Sequence, residues 1–349
     1  MRRLGFMAIA IVFLTAAGPA NGYRLIAFRD PVPDAAAAVR WLESDFPLRF
    51  RILENDNLPR DVELSQEGWT EIVRRSLVPW TSIPTARIEL ILEEETVPIS
   101  QADQDDGINT IGFSSHENFV DSWFTAWAAW QFEDGRFVGC DIEVNPDFVK
   151  NWAPQDPYRL LEVVAIHEMG HCLGLFHTEP HPMPLWTSLP VNADPSFLPD
   201  PVMSYSNSYG LNLSEDDVVA VSLLYPAPGF FESRGSVRGT VVLEDRPAAF
   251  AYVQAVRPGA SAIPVRPGPG AFTDDSGEFH LEGLLPGDWM LWVHPILVTR
   301  RNAHGRLLQA ADEASASDFL DQLRWVRVGA GEVLDDVEIV VRGGREPTP

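Results

Sequence analysis

Residues 167–177 read His-Glu-Met-Gly-His-Cys-Leu-Gly-Leu-Phe-His, the pattern H-E-x-x-H-x-x-G-x-x-H. It constrains the fold because three imidazoles have to converge from one helix and the turn that follows it. On a helix, four residues are a little over one turn, so His167 and His171 project from the same face. Gly174 can take the left-handed conformation that stops the helix, after which the chain turns back and His177 approaches from outside. Three neutral imidazoles on a tetrahedral zinc ion leave one position for water.

The chemistry follows from the donor set. Neutral ligands leave the ion its full charge, which draws the pKa of bound water toward neutrality and polarises a peptide carbonyl. Glu168, beside His167, is placed to take the proton as general base and to return it to the departing amine. A bare H-E-x-x-H would arise by chance in roughly one chain in a hundred of this length, and the added glycine and histidine lower that to on the order of one in 10^5. Asp156-Pro157 supplies an N-cap and a first-turn proline ahead of a predicted helix over Tyr158–Leu173, so the motif has its helical context. The competing reading is a surface helix that carries two histidines.

On these residues the chain resembles the metzincin zinc endopeptidases. Pro201-Val202-Met203-Ser204-Tyr205 is similar to the family's Met-turn, which implies that Met203 forms an apolar floor under the ligands. Tyr205 matches a tyrosine that serralysins and astacins place near the metal, where a phenol stabilises the oxyanion. An ordinary half-buried tyrosine is the alternative. Leu213–Tyr225, capped by Ser214, is similar to the closing helix of matrixins, and Asp106–Phe113 to a loop and strand of their sheet. The resemblance is matrixin-like with a serralysin-like Met-turn, and it spans roughly residues 40–226.

The N-terminus speaks for export. Arg2-Arg3, the apolar run Leu4–Ala17 and the small residues Gly18-Pro19-Ala20-Asn21-Gly22 read as a signal peptide cleaved after Gly22, with a retained anchor as the alternative. No other stretch is long and apolar enough to span a bilayer, so the mature chain is expected to be soluble, extracellular or periplasmic. A formal net charge of −24 argues against nucleic acid and anionic membranes as partners. Lys150 is the only lysine, and nothing functional follows from it.

Cys172 lies about 140° around the helix from His167, on the face away from the metal. Cys140 sits in the predicted strand Phe137–Val144, and in an exported protein a Cys140–Cys172 disulfide competes with two buried thiols. Nothing upstream could act as the cysteine switch of many matrixins, which leaves a propeptide doubtful.

Elsewhere Tyr23–Asp34 reads as an irregular lead-in, Leu48–Ile52 as a strand and Val62–Val78 as a helix with Trp69, Ile72 and Val73 on one side. Arg87–Leu92 alternates like a strand. Ser122–Phe132 carries tryptophans at helical spacing but precedes the hairpin signal Asp134-Gly135, and a strand is favoured. The resemblance implies that this strand pairs with extended substrate, against a core segment that touches none. Asp103–Asp106 is a calcium candidate, although a solvated charge run is the simpler reading.

After Pro226-Ala227-Pro228-Gly229 the chain turns to short apolar runs, Val237–Leu243, Ala251–Val256, Phe279–Leu281, Trp289–Val293, Val326–Val328 and Val333–Val341. This is the pattern of an antiparallel β-sandwich. Gly235-Ser236-Val237-Arg238-Gly239-Thr240-Val241, Asp275-Ser276-Gly277-Glu278-Phe279 and Gly283-Leu284-Leu285-Pro286-Gly287 resemble the carboxypeptidase-regulatory-like, transthyretin-like domains appended to exported peptidases, over about 235–342. His280, His294 and His304 lack ligand spacing. His116 and His181 are better candidates for a local role, since His181 follows the zinc motif on the loop expected to line the pocket for the residue after the scissile bond, although packing or surface roles are the simpler reading for both. The second domain carries no visible chemistry, so its expected partners are a surface, a glycan or the catalytic domain.

The expected fold class is α+β, with a twisted mixed sheet, helices and a zinc helix. The expected organisation is a signal peptide at 1–22, a lead-in at 23–34, a catalytic domain at 35–226, a linker at 227–234 and a β-sandwich at 235–345. The expected function is a secreted zinc endopeptidase that hydrolyses peptide bonds through zinc-bound water, with His167, His171 and His177 as ligands and Glu168 and Tyr205 as catalytic residues. The rivals are an inactive exported binding protein with a structural zinc site, and a zinc hydrolase confined to non-peptide amides or self-processing. Specificity depends on the shape formed by Thr178–Val202, which sequence does not give.

Overall fold

The computed structural model describes residues 24–25, 38–54, 58–59, 62–101, 106–114, 125–147, 156–177, 201–203, 211–249, 251–258, 265–295 and 319–343. The signal peptide, the acidic loop from Asp103, Ser122–Phe124, His116, His181, Tyr205 and His304 lie outside the described residues, apart from Asp106 at the loop's end. What is described is mixed α+β, with several sheets and few helices.

The chain divides into two compact units. Of the described residues, one unit holds those within 41–78 and 89–172, and the other those within 24–40, 79–88 and 173–343. Along the chain come β1 (Arg24–Leu25), β2 (Leu48–Leu53), α1 (Gln66–Thr81), β3 (Leu90–Val97), β4 (Asn109–Phe113), β5 (Ala126–Glu133), β6 (Arg136–Val144), α2 (Pro157–Cys172) and β7 (Leu175–Phe176). They are followed by α3 (Glu215–Leu224), α4 (Phe230–Ser233), β8 (Gly235–Leu243), β9 (Arg246–Pro247), β10 (Ala251–Pro258) and β11 (Val265–Phe272). The last strands are β12 (Glu278–Leu284), β13 (Gly287–Pro295), β14 (Phe319–Leu320), β15 (Gln322–Val328) and β16 (Val333–Gly343).

In the first unit the sheet order is β3-β2-β4-β6-β5. The inner pairs are parallel, and β5 joins β6 antiparallel through a hairpin at Asp134-Gly135, both with positive φ. The strand reading of the tryptophan segment therefore holds over 126–133. Alternation sends Phe50, Ile52, Ile111, Phe113, Ile142 and Val144 into the core. The buried residues Trp69, Ile72, Val73, Ser76, Leu77 and Trp80 recur at helical spacing along α1, and the Trp69 ring lies 4.8 Å from that of Phe113.

Helix α1 differs from the predicted 62–78. It starts after Ser65, whose Oγ accepts the Gly68 N–H at 3.0 Å, because a cap decides a helix start more firmly than one apolar residue such as Val62. It runs through Pro79, which lacks the N–H for one helical hydrogen bond, and ends two residues later at Thr81. Strand β3 begins at Leu90 rather than Arg87, whose N–H instead donates to Tyr225 O at 2.8 Å. It continues through three glutamates, of which Glu93 accepts from Arg51 of β2 at 2.6 Å.

In the second unit, β11-β10-β13-β15 form an antiparallel sheet. A second sheet, β12-β8-β16-β14 with β9 on β8, contains one parallel pair, β8 with β16, where uniform antiparallel pairing was expected. Val241, Phe279 and Ile339 of one sheet and Val253, Trp289 and Leu291 of the other belong to a single buried cluster. Strand β11 was not foreseen because its sequence, Val-Arg-Pro-Gly-Pro-Gly-Ala-Phe, reads as loop. It is an edge strand, and a Cβ at Gly268 would lie 2.7 Å from the Trp289 ring.

Helix α3 lies against β11 and β12. Gly283 of β12, at φ +73°, leaves the space that Val219 fills, and a Cβ there would collide with it. The stretch from Tyr225 to Gly229 is anchored as well. Ala227 N–H donates to Thr85 O at 3.0 Å, and Pro226 bridges Ala86.

Candidate metal centre

The centre is built on α2. Asp156 Oδ1 accepts the Arg159 N–H at 3.0 Å and caps the helix, and Pro157 occupies its first turn. Gly174, at φ +100°, ends it, and the chain turns into β7, which pairs antiparallel with β1. His177 follows directly. The ligand atoms of His167, His171 and His177 all lie within 4.8 Å of one another, a span that small side-chain rotations close onto one ion. The rings of His167 and His171 stand 4.8 Å apart at 85°. His171 is buried, and His167 and His177 are half-buried. No other group of three such donors occurs among the described residues.

Glu168 is buried on the same helix, and its Oε2 makes no hydrogen bond. Burial pushes its carboxyl up to about 8. An orphaned buried carboxyl oxygen next in sequence to a three-imidazole cluster suits a divalent cation, because a nearby positive charge offsets the cost of burying the carboxylate. The donor set, all nitrogen, is one that zinc accepts.

The end of α2 is braced in a way that sequence reasoning missed. The last carbonyls of a helix lack partners within it. Here three successive ones accept from aromatic side chains: His171 O from Trp130 Nε1 at 3.1 Å, Cys172 O from Trp41 Nε1 at 2.7 Å, and Leu173 O from the Tyr225 hydroxyl at 2.8 Å. The disulfide Cys140–Cys172, with Cα atoms 5.6 Å apart, ties β6 to the same turn, so the bridge and not the pair of thiols is what forms.

Met203 and Val202 are buried in a turn held by Asp217 of α3. The Asp217 carboxylate accepts Val202 N–H at 2.8 Å, Met203 N–H at 3.2 Å, and both N–H and Oγ–H of Ser214 at 2.8 Å. Burial pushes the Asp217 carboxyl up, and these hydrogen bonds pull it back. Ser214 caps α3 as expected, its Oγ accepting the Asp217 N–H at 3.2 Å. The one local signal for Asp217 is its place three residues after the cap Ser214, the third position of a capping box.

The structure thus brings the three predicted ligands together and buries Glu168, the sequence neighbour of His167. His280 and His294 lie on β12 and β13, outside any such group.

No family model matches the chain. Over 154 residues it is 29% identical to human matrix metalloproteinase-20, a stretch covering 44% of this chain and 27% of that protein, so the chain spans about a quarter of its relative. Among solved structures, OgpA from Akkermansia muciniphila aligns over 85% of this chain and 96% of its own at 12% identity and TM-score 0.24. BcpA, the major pilin subunit of Bacillus cereus, aligns over 32% of this chain and 31% of its own at 11% identity and TM-score 0.21. At these scores the likeness carries no structural argument. Sequence comparison thus gives a distant relationship to a matrix metalloproteinase, and the structure gives a histidine cluster that could hold a metal ion.

Proposed function

We propose that the chain is an exported zinc endopeptidase of metzincin type. The observation that carries this reading is the convergence of His167, His171 and His177 with the buried, orphaned carboxyl of Glu168 on the same helix. The three histidines would hold the ion. Zinc bound there supplies Lewis acidity, which makes water a competent nucleophile near neutral pH and polarises the scissile carbonyl.

The remaining work belongs to the chain. Glu168, buried and next to His167 in sequence, accepts the proton from attacking water and delivers it to the departing amine. Tyr205 donates its phenol to the developing oxyanion. Met203, held in its turn by Asp217, gives apolar support. Strand β5, at the sheet edge, pairs with an extended protein or peptide substrate. The disulfide agrees with an oxidising compartment, and no helix among the described residues is long and apolar enough to cross a membrane. The two C-terminal sheets that share one core act as a sandwich domain that binds a surface, a glycan or the catalytic part.

The test is hydrolysis of casein and of a peptide library by the full chain, with and without a chelator, beside Glu168→Ala. Activity lost to the chelator and restored by zinc, together with activity lost in Glu168→Ala and not restored by zinc, supports the reading. Wild-type turnover indifferent to both removes it, and zinc binding without turnover favours a structural site.

A further inference from the structure

We propose that Trp130 is a positioning residue for His171, fixing this ligand before the ion arrives; the inference rests on the metal-binding reading above. Trp130 makes two contacts with His171. Its indole N–H donates to the His171 carbonyl at 3.1 Å, and its ring stands edge-on to the imidazole, centroids 6.0 Å apart at 77°. Trp130 is in turn the cross-strand partner of Cys140, whose disulfide holds Cys172, the residue after His171. Strand pair, disulfide, peptide bond and indole hydrogen bond form a closed loop around one ligand.

The need for such a loop comes from where His171 sits. Helix α2 ends at Cys172, so this ligand occupies the last turn, where carbonyls lack helical partners and helices fray. A ligand in a fraying turn must be ordered when the metal binds, and that ordering weakens the measured affinity. Trp130 does the ordering in advance. His167, one turn back, sits where the helix holds itself.

Trp41 provides an internal control. It donates to the neighbouring carbonyl, that of Cys172, at the shorter distance of 2.7 Å, yet Cys172 carries no ligand. Trp130→Phe and Trp41→Phe therefore remove the same kind of bond from adjacent carbonyls, and only the first touches a metal-binding residue.

The experiment uses the full chain, its zinc affinity measured by competition with a chromophoric chelator and its visible spectrum recorded with cobalt(II). Trp130→Phe is expected to weaken zinc binding by about tenfold or more and to shift the cobalt bands. Trp41→Phe is expected to lower the melting temperature while leaving affinity within about twofold of wild type. Wild-type affinity and spectrum in Trp130→Phe overturn the proposal, and so does an equal loss of affinity in both variants. Should Trp130→Phe not fold, the indole N–H resonance of Trp130 in the wild-type protein is followed during zinc titration. A shift with slower solvent exchange supports the coupling, and an unmoved resonance refutes it. If wild-type protein binds neither zinc nor cobalt at the histidines, the metal-binding reading itself has failed, an outcome separate from a normal wild type with an unaffected variant.

Discussion

The carboxylate of Asp217 accepts the backbone N–H of Met203 at 3.2 Å, and its other oxygen accepts that of Val202 at 2.8 Å. A side chain on the first turn of α3 thereby shapes a turn that precedes it by more than ten residues. Asp217→Ala leaves these buried N–H groups without an acceptor and is expected to cost about 3 kcal/mol or more. Asp217→Asn retains one acceptor and turns an NH2 toward donors, so it recovers only part of the loss. Urea denaturation of both variants measures this, and wild-type stability in either would refute it.

Replacing Glu168 separates chemistry from metal binding. Glu168→Gln is expected to lower kcat by about 10^2- to 10^4-fold and to leave zinc content unchanged. Turnover assays paired with metal analysis check both halves.

Removing one imidazole should release the ion. His177→Ala leaves two ligands and is expected to weaken zinc binding by more than about a hundredfold. His294→Ala, on β13, serves as the matched control and should bind zinc as wild type does.

The disulfide spans a separation of 32 residues. Replacing both Cys140 and Cys172 by serine is expected to lower stability by about 3–4 kcal/mol on the loop-entropy model, read from denaturation of oxidised wild type against the double variant.

His280 predicts a pH dependence in the C-terminal sheets. Burial, and then Arg238 on β8, push its imidazole down to about 4, against the smaller opposing pull of Asp335 on β16. Glu282 lies 3.9 Å away on the same strand and does not reverse this. A folded pKa below the unfolded one means that the unfolded chain binds more protons on acidification. Stability is therefore full above pH 6.5 and falls as pH drops toward 4, by at most about 3 kcal/mol, less for the fifth of the side chain that is exposed. In melting curves across that range, wild type should lose stability relative to His280→Gln as pH falls, and curves that stay parallel would exclude the effect.

Legibility followed the range of the interactions. The histidine cluster and the stop at Gly174 could be read because they are set within eleven consecutive residues, by helical period and one glycine. The Ser214 cap and the Asp134-Gly135 hairpin were legible for the same reason. Strand β11 was not, since its prolines and glycines are tolerated only because the strand is an edge beneath Trp289. Trp130 was singled out by spacing, yet its partner His171 lies 41 residues away, and no local pattern encodes that meeting. Ser214 was legible as a cap, whereas nothing local disclosed the hold of Asp217 on Met203.

Val219 seated over Gly283 bears on any attempt at a minimal version of this protein. Trimming the chain at Pro226 keeps every residue of the histidine motif but takes away the floor beneath α3, and α3 carries Asp217. Such a fragment would inherit the right letters with a slackened turn at Val202 and Met203, so shortening the molecule and preserving its architecture pull in opposite directions.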